Sequence, residues 1–167
     1  SEMEMFLRHS PCPVIALTGS DGKSTTTTLV ANILRESGMN CFLGGNIGEP
    51  LLNRIDAMKE DDIIAVELSS FQLMTINSPL TVAAIKNITP NHLNWHTGMD
   101  EYIAAKAKIL DGCGRAVLNY DDENCRSLAD RAENEVLWFS RSRLHEDLDG
   151  AFICDGELIM RYKGEET

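Results

Sequence analysis

Apolar positions along this chain alternate between two periods. Short, nearly continuous runs at Val14–Thr18, Asp62–Leu68, Val82–Ile85, Ala116–Asn119 and Val136–Ser140 read as strands, and a briefer one at Cys41–Leu43 joins them. Helical spacing marks the stretches between. Ser24–Ser37 carries Leu29, Val30, Ile33 and Leu34 on one face, with Gly38 as its stop. Pro50–Met58 has proline at its first position, and Asp100–Asp111 and Glu123–Ala132 complete the helices. Ala151–Cys154 and Glu157–Arg161 flank Asp155-Gly156, a two-residue hairpin signal. Strands alternating with helices predict an α/β fold: a mostly parallel, Rossmann-like sheet flanked by helices, with a small antiparallel hairpin. Residues 1–13 read as a lead-in closed by Pro11 and Pro13, and 14–167 as one domain.

The first strand runs into Gly19-Ser20-Asp21-Gly22-Lys23-Ser24-Thr25, and a helix follows. Gly19 and Gly22 allow backbone conformations closed to other residues, so successive N–H groups can line one concavity and bind anionic oxygens. Lys23 supplies a point charge for phosphates, Ser24 a hydroxyl for Mg²⁺, and the helix its positive dipole end. Leu17 stands where the full phosphate-loop pattern has its first glycine, so this is a shortened form, and a plain glycine turn stays open.

Charge limits what else the chain can bind. Fifteen Lys and Arg against 26 Asp and Glu give a net charge of −11. Such a surface repels nucleic acid and acidic membranes, so phosphate binding must be local to the loop. No apolar run reaches membrane-spanning length, and the first dozen residues, with Glu2, Glu4, Arg8 and His9, lack the pattern of a signal peptide. Five scattered cysteines without a Cys-x-x-Cys pair fit a reducing cytoplasm better than a disulfide framework.

Three further positions carry candidate chemistry. Glu67 ends an apolar strand and faces the crevice where open α/β sheets bind ligands; it is a natural Mg²⁺ ligand or a solvated strand-end acid. His92 and His96 stand four apart without the Glu of a His-Glu-x-x-His motif, which argues against a zinc pair and for one metal-side and one structural histidine. In Asp100–Asp111 the stripe Ile103, Ala107, Leu110 predicts the buried face. Lys106 then lies on its flank, partly enclosed, while Lys108 points to solvent.

Thr18–Thr25 resembles the nucleotide loop of the Mur ligases, ATP-dependent ligases that build the peptidoglycan precursor. Gly44-Gly45-Asn46-Ile47-Gly48 and Glu67-Leu68-Ser69-Ser70-Phe71-Gln72-Leu73 are similar to segments of the members that add D-glutamate to UDP-N-acetylmuramoyl-L-alanine. Asn87–Leu93 and Tyr102–Lys106 extend the likeness over most of residues 14–110. The resemblance implies that Lys23, Ser24 and the loop backbone hold ATP and Mg²⁺. It further implies that Glu67 and His92 serve the metal centre, and that Asn46 and Ser69 face the muramoyl substrate. Lys106 would be the lysine that this family carbamylates. The γ-phosphate would pass to the substrate carboxylate, and the D-glutamate amine would attack the acyl phosphate. The family usually has Asp at the positions of Asn91 and Asn94, and a basic residue or tyrosine at Trp95. Its UDP-binding and amino-acid-binding domains do not fit within 167 residues, and its base-gripping His-Asn segment is expected beyond Thr167. The implied cytoplasmic bacterial ligase is therefore expected to be inactive as this fragment alone. Another ligase of the Mur and folylpolyglutamate synthetase superfamily, or a stand-alone nucleotide-binding module, stays open at this point.

Overall fold

The structure, a computed structural model, describes residues 1–90 and 98–167. Its frame is a nine-stranded sheet of order β2-β3-β1-β4-β5-β6-β7-β8-β9. These strands are Val14–Thr18 (β1), Cys41–Gly45 (β2), Ile63–Glu67 (β3), Val82–Ile85 (β4), Arg115–Asn119 (β5), Glu135–Ser140 (β6), Gly150–Cys154 (β7), Glu157–Tyr162 (β8) and Glu165–Glu166 (β9). All neighbours from β2 to β7 run parallel, and β7-β8-β9 is antiparallel. Asp155 and Gly156 both adopt left-handed backbone (φ 52° and 84°), the geometry that a two-residue hairpin needs. The expected mostly parallel α/β fold with an antiparallel hairpin is what forms; the two-residue β9 is an addition.

β1 lies between β3 and β4, with Leu17 opposite both Glu67 and Ala84. The carboxyl ends of three strands therefore stop level, and the loops leaving them gather at one edge. β2 joins this edge because Gly45 pairs with Glu67. Gly45 has φ 99°, and a Cβ there would collide with the Glu67 carbonyl oxygen, so only glycine lets these backbones meet.

Helices Glu2–His9 (α1), Lys23–Glu36 (α2), Ser70–Leu73 (α3), Met99–Ala107 (α4) and Glu123–Ser127 (α5) flank the sheet. The supposed lead-in is thus a helix. Ser1 caps it by accepting the Glu4 N–H at 3.2 Å, and the Glu4 carboxylate accepts the N–H groups of Asn77 and Ser78. Phe6, 1% exposed, and Leu7 lie in the main core. Pro50–Met58 forms only a 3-10 turn, Leu52–Ala57. Glu123–Ala132 breaks into α5 and the 3-10 turn Ala129–Arg131, and the helix expected to Asp111 gives way to a 3-10 turn at Lys108–Leu110.

The face that α2 buries also differs from expectation. Thr27 and Ala31 are buried, and Val30 and Leu34 pack around Ala31, Cys41 and Ala65. Leu29 and Ile33 are each 56% exposed. Positions 27, 30, 31 and 34 form one stripe, and 29 and 33 lie about 160–200° round the helix from 27 and 31. Small side chains on the stripe let the helix sit close to the sheet.

Because Phe6 is a core residue, Phe6→Ala should destabilise the chain by about 3 kcal/mol or more, the ordinary cost of emptying an aromatic site. Urea unfolding followed by tryptophan fluorescence checks this; a loss below about 1 kcal/mol would mean that α1 is a detachable leader.

Candidate functional site

Gly22 carries the left-handed conformation (φ 68°) that turns the Gly19–Gly22 loop into α2. The first four N–H groups of a helix have no intrahelical acceptor, so those at this end face outward as donors. The loop's other polar groups are occupied. The Asn87 side-chain oxygen accepts the N–H groups of Ser20 (2.8 Å) and Asp21 (2.9 Å), and the Asn87 carbonyl also accepts Ser20 N–H at 2.9 Å. The Ser20 hydroxyl donates to the Thr89 carbonyl (2.9 Å), accepts the Thr89 N–H (3.0 Å) and lies 3.0 Å from the Tyr102 hydroxyl. Lys23 Nζ donates to the Ser20 carbonyl at 3.0 Å.

Glu67 ends β3 beside this loop and is 1% exposed. Its Oε2 accepts the Ser24 hydroxyl at 2.7 Å and its Oε1 accepts the Asn46 side-chain amide at 3.2 Å. The Asn46 N–H also donates to the Glu67 carbonyl at 3.0 Å. A buried carboxylate and a hydroxyl at the mouth of the loop are hard oxygen donors of the kind Mg²⁺ takes. Among the described residues no group of three His, Cys, Asp or Glu side chains that could hold a metal forms by protein ligands alone.

Lys106 lies beneath the loop. It is 1% exposed and belongs to the buried face of α4 with Tyr102, Ala105 and Ala107, whereas Ile103 is only half-buried. The expected flank position is corrected accordingly: lysine's stem packs like an apolar residue, and its Nζ finds acceptors inside. Nζ donates to the Gly19 carbonyl at 2.7 Å and to Thr18 Oγ1 at 3.4 Å, and sits 4.6 Å from the centre of the Tyr102 ring. Burial, with the nearby Lys23 charge adding to it, brings its pKa down from 10.5 to about 7. Lys108 is half-buried and donates to the Met74 carbonyl at 3.1 Å, so it is not simply a solvated charge.

Residues 17–158 match the family described as Mur ligase middle domain. The chain belongs to that family. Among its curated relatives are the UDP-N-acetylmuramoylalanine--D-glutamate ligases of Acetivibrio thermocellus, 45% identical over the whole chain, and Ruminiclostridium cellulolyticum, 46% identical over the whole chain. The chain spans 36% of the length of each. Among solved structures, a UDP-N-acetylmuramoyl-L-alanyl-D-glutamate--2,6-diaminopimelate ligase has a TM-score of 0.74 at 22% identity, over 87% of this chain and 35% of its own. MurF from Acinetobacter baumannii has a TM-score of 0.69 at 19% identity, over 96% of this chain and 38% of its own. At those identities the structures speak for the fold.

Within this Mur ligase middle domain, Gly19 to Thr25, Asn46, Glu67 and Lys106 converge at one sheet edge. Ser69 is next to it, but its hydroxyl is engaged in a capping box at α3: it accepts the Gln72 N–H at 3.3 Å and donates to Gln72 Oε1 at 3.0 Å. His92, with Asn91, Asn94, Trp95 and His96, lies outside the described residues. No helix of the described residues is long and apolar enough to cross a membrane. A cleft of about 510 Å³ under β5–β9, lined by Val117, Leu137, Phe139, Ala151 and Met160 among others, contains none of the predicted site residues. Sequence reasoning missed Thr18 and gave no role to Asn87, which follows β4; only the pairing of β4 with β1 puts it on the loop.

The depressed Lys106 pKa has a definite consequence for stability. Below pH 7 the folded chain holds a buried ammonium at full cost. Between about pH 7 and 10.5 the folded state sheds this proton while the unfolded state keeps it, so stability rises with pH. Relative to Lys106→Met, which keeps the stem and removes the charge, the wild type should therefore gain roughly 2 kcal/mol from pH 7 to pH 9. Urea unfolding of both proteins in CO₂-free buffer measures this; a pH-independent difference would mean that Lys106 titrates normally.

Proposed function

We propose that this chain is the nucleotide-binding part of an ATP-dependent ligase that joins D-glutamate to UDP-N-acetylmuramoyl-L-alanine. The observation that carries this reading is the Glu67–Ser24 pair at the mouth of the phosphate loop, in a chain 45–46% identical to D-glutamate ligases. That identity favours this reading over folylpolyglutamate synthesis or a stand-alone module. A UDP-binding and an amino-acid-binding domain elsewhere in the full-length protein would hold the two other reactants in attack geometry, in the cytoplasm of a bacterium.

The residues have separate tasks in this reading. The N–H groups at the start of α2 donate to the β- and γ-phosphate oxygens of ATP, and Lys23, released from Ser20, follows the charge of the transferring phosphoryl group. Ser24 and Glu67 hold Mg²⁺, which when bound neutralises charge on that group. His92 serves the metal side as well. Asn46 holds Glu67 in place and, with Ser69, faces the muramoyl substrate. Transfer turns a carboxylate oxygen, a poor leaving group, into an acyl phosphate that the D-glutamate amine can attack.

Lys106 fits the carbamate role. With a pKa near 7, much of the amine is neutral and can attack CO₂. The nitrogen–carbon bond forms, one proton leaves, and the product is an anion with two hard oxygens. One N–H remains, so the bond to the Gly19 carbonyl can persist after modification.

In the full-length protein, Glu67→Gln should keep the fold and lower turnover at least a hundredfold, with a higher Mg²⁺ requirement. Lys106→Arg, which stays cationic and cannot form a carbamate, should lose turnover likewise. ADP release in the presence of both substrates measures it. Wild-type rates and Mg²⁺ dependence in Glu67→Gln would remove Glu67 from the site, and full activity of Lys106→Arg would remove the carbamate.

A further inference from the structure

Lys86 directly follows β4, on the side of the sheet edge facing the loop, and its backbone is pinned at both ends. Its N–H donates to the Thr18 carbonyl at 2.9 Å, and its carbonyl accepts the Asn119 side-chain amide at 2.9 Å. From that fixed root the side chain runs along the phosphate loop. Its Cβ lies 3.2 Å from where a Cβ on Gly19 would stand, and its Cε 3.3 Å from where one on Gly22 would stand. Its Nζ occupies the place beside Gly22 that such a Cβ would fill.

The other two lysines of the loop are each held by a loop carbonyl: Lys23 Nζ by Ser20 and Lys106 Nζ by Gly19. Lys86 Nζ has no acceptor or carboxylate partner among the described residues. The phosphate loop's own carboxylate, Asp21, accepts the Thr89 hydroxyl at 3.2 Å instead. A half-buried ammonium at the positive end of a 14-residue helix, close to a second lysine, is electrostatically unfavourable by itself. It sits there in a chain of net charge −11, so cations concentrate at this loop against the trend of the whole surface. An anion in the loop removes the conflict, because it draws on the helix end and both ammonium groups together.

We infer that Lys86 is a second phosphate-binding lysine of this site, contacting the phosphate chain of the bound nucleotide from the β4 side while Lys23 contacts it from α2. This rests on the nucleotide reading above and adds a residue to it.

Calorimetric titration of Mg·ADP and Mg·ATP into the full-length protein tests it, with wild type, Lys86→Gln and Lys86→Arg side by side. A lost charge-assisted contact should raise Kd for both nucleotides about tenfold in Lys86→Gln, flatten the dependence of Kd on KCl, and leave the unliganded melting temperature unchanged. Lys86→Arg should bind within about threefold of wild type. Wild-type or tighter binding by Lys86→Gln overturns the inference, tighter binding meaning that Lys86 obstructs the loop. Loss of binding that Arg does not rescue, with a lowered melting temperature, overturns it too and makes Lys86 a structural support. A wild-type protein that binds neither nucleotide refutes the nucleotide reading itself, and that failure is visible before any substitution is made.

Discussion

The site depends on keeping the N–H groups at the start of α2 free while the rest of the loop is tied down. An anion-binding loop must present donors without acceptors, a costly state unless neighbouring groups hold its shape. Here the carbonyls are held from below and within: Gly19 by Lys106, Ser20 by Lys23. The N–H groups of Ser20 and Asp21 are held from the side by Asn87. Lys106 is the costliest of these supports, since a fully buried lysine gives up its charge or bears the desolvation of keeping it.

The sheet makes this possible through register. β3, β1 and β4 end level, and α5 braces the segment after β4: Asp122 accepts the Ile88 N–H at 2.8 Å while also capping α5 through Cys125 N–H. Asn124 donates to the Ile88 carbonyl and Asn119 to that of Lys86. The Asn87 that fixes the loop is thus itself fixed from both sides. Glu67 is placed similarly, by β3 behind and Asn46 in front.

Local chemistry was legible in the sequence, and juxtaposition was not. β1, the loop and α2 could be read because the apolar run, glycines, lysine and hydroxyls are contiguous. Glu67 stood out as an acid closing a buried run, and Asp155-Gly156 announced its hairpin. Lys106 was placed too near the surface because periodicity counts apolar residues and treats lysine as polar, though its stem packs as well as leucine's. Leu29 and Ile33 misled the same count in the opposite direction. α1 was hidden by its brevity and by the two prolines after it. Asn87 and Lys86 gained a role only from strand order, which places β4 beside β1 and cannot be read from either strand alone.

Amide hydrogen exchange of the full-length protein, with and without Mg·ADP, tests the central claim most directly. If the start of α2 is the phosphate cradle, exchange at Gly22, Lys23, Ser24 and Thr25 should slow sharply on binding. The N–H groups of Ser20 and Asp21, already bonded to Asn87, should be protected before ligand is added. Protection that appears elsewhere while Gly22–Thr25 exchange unchanged would contradict the account.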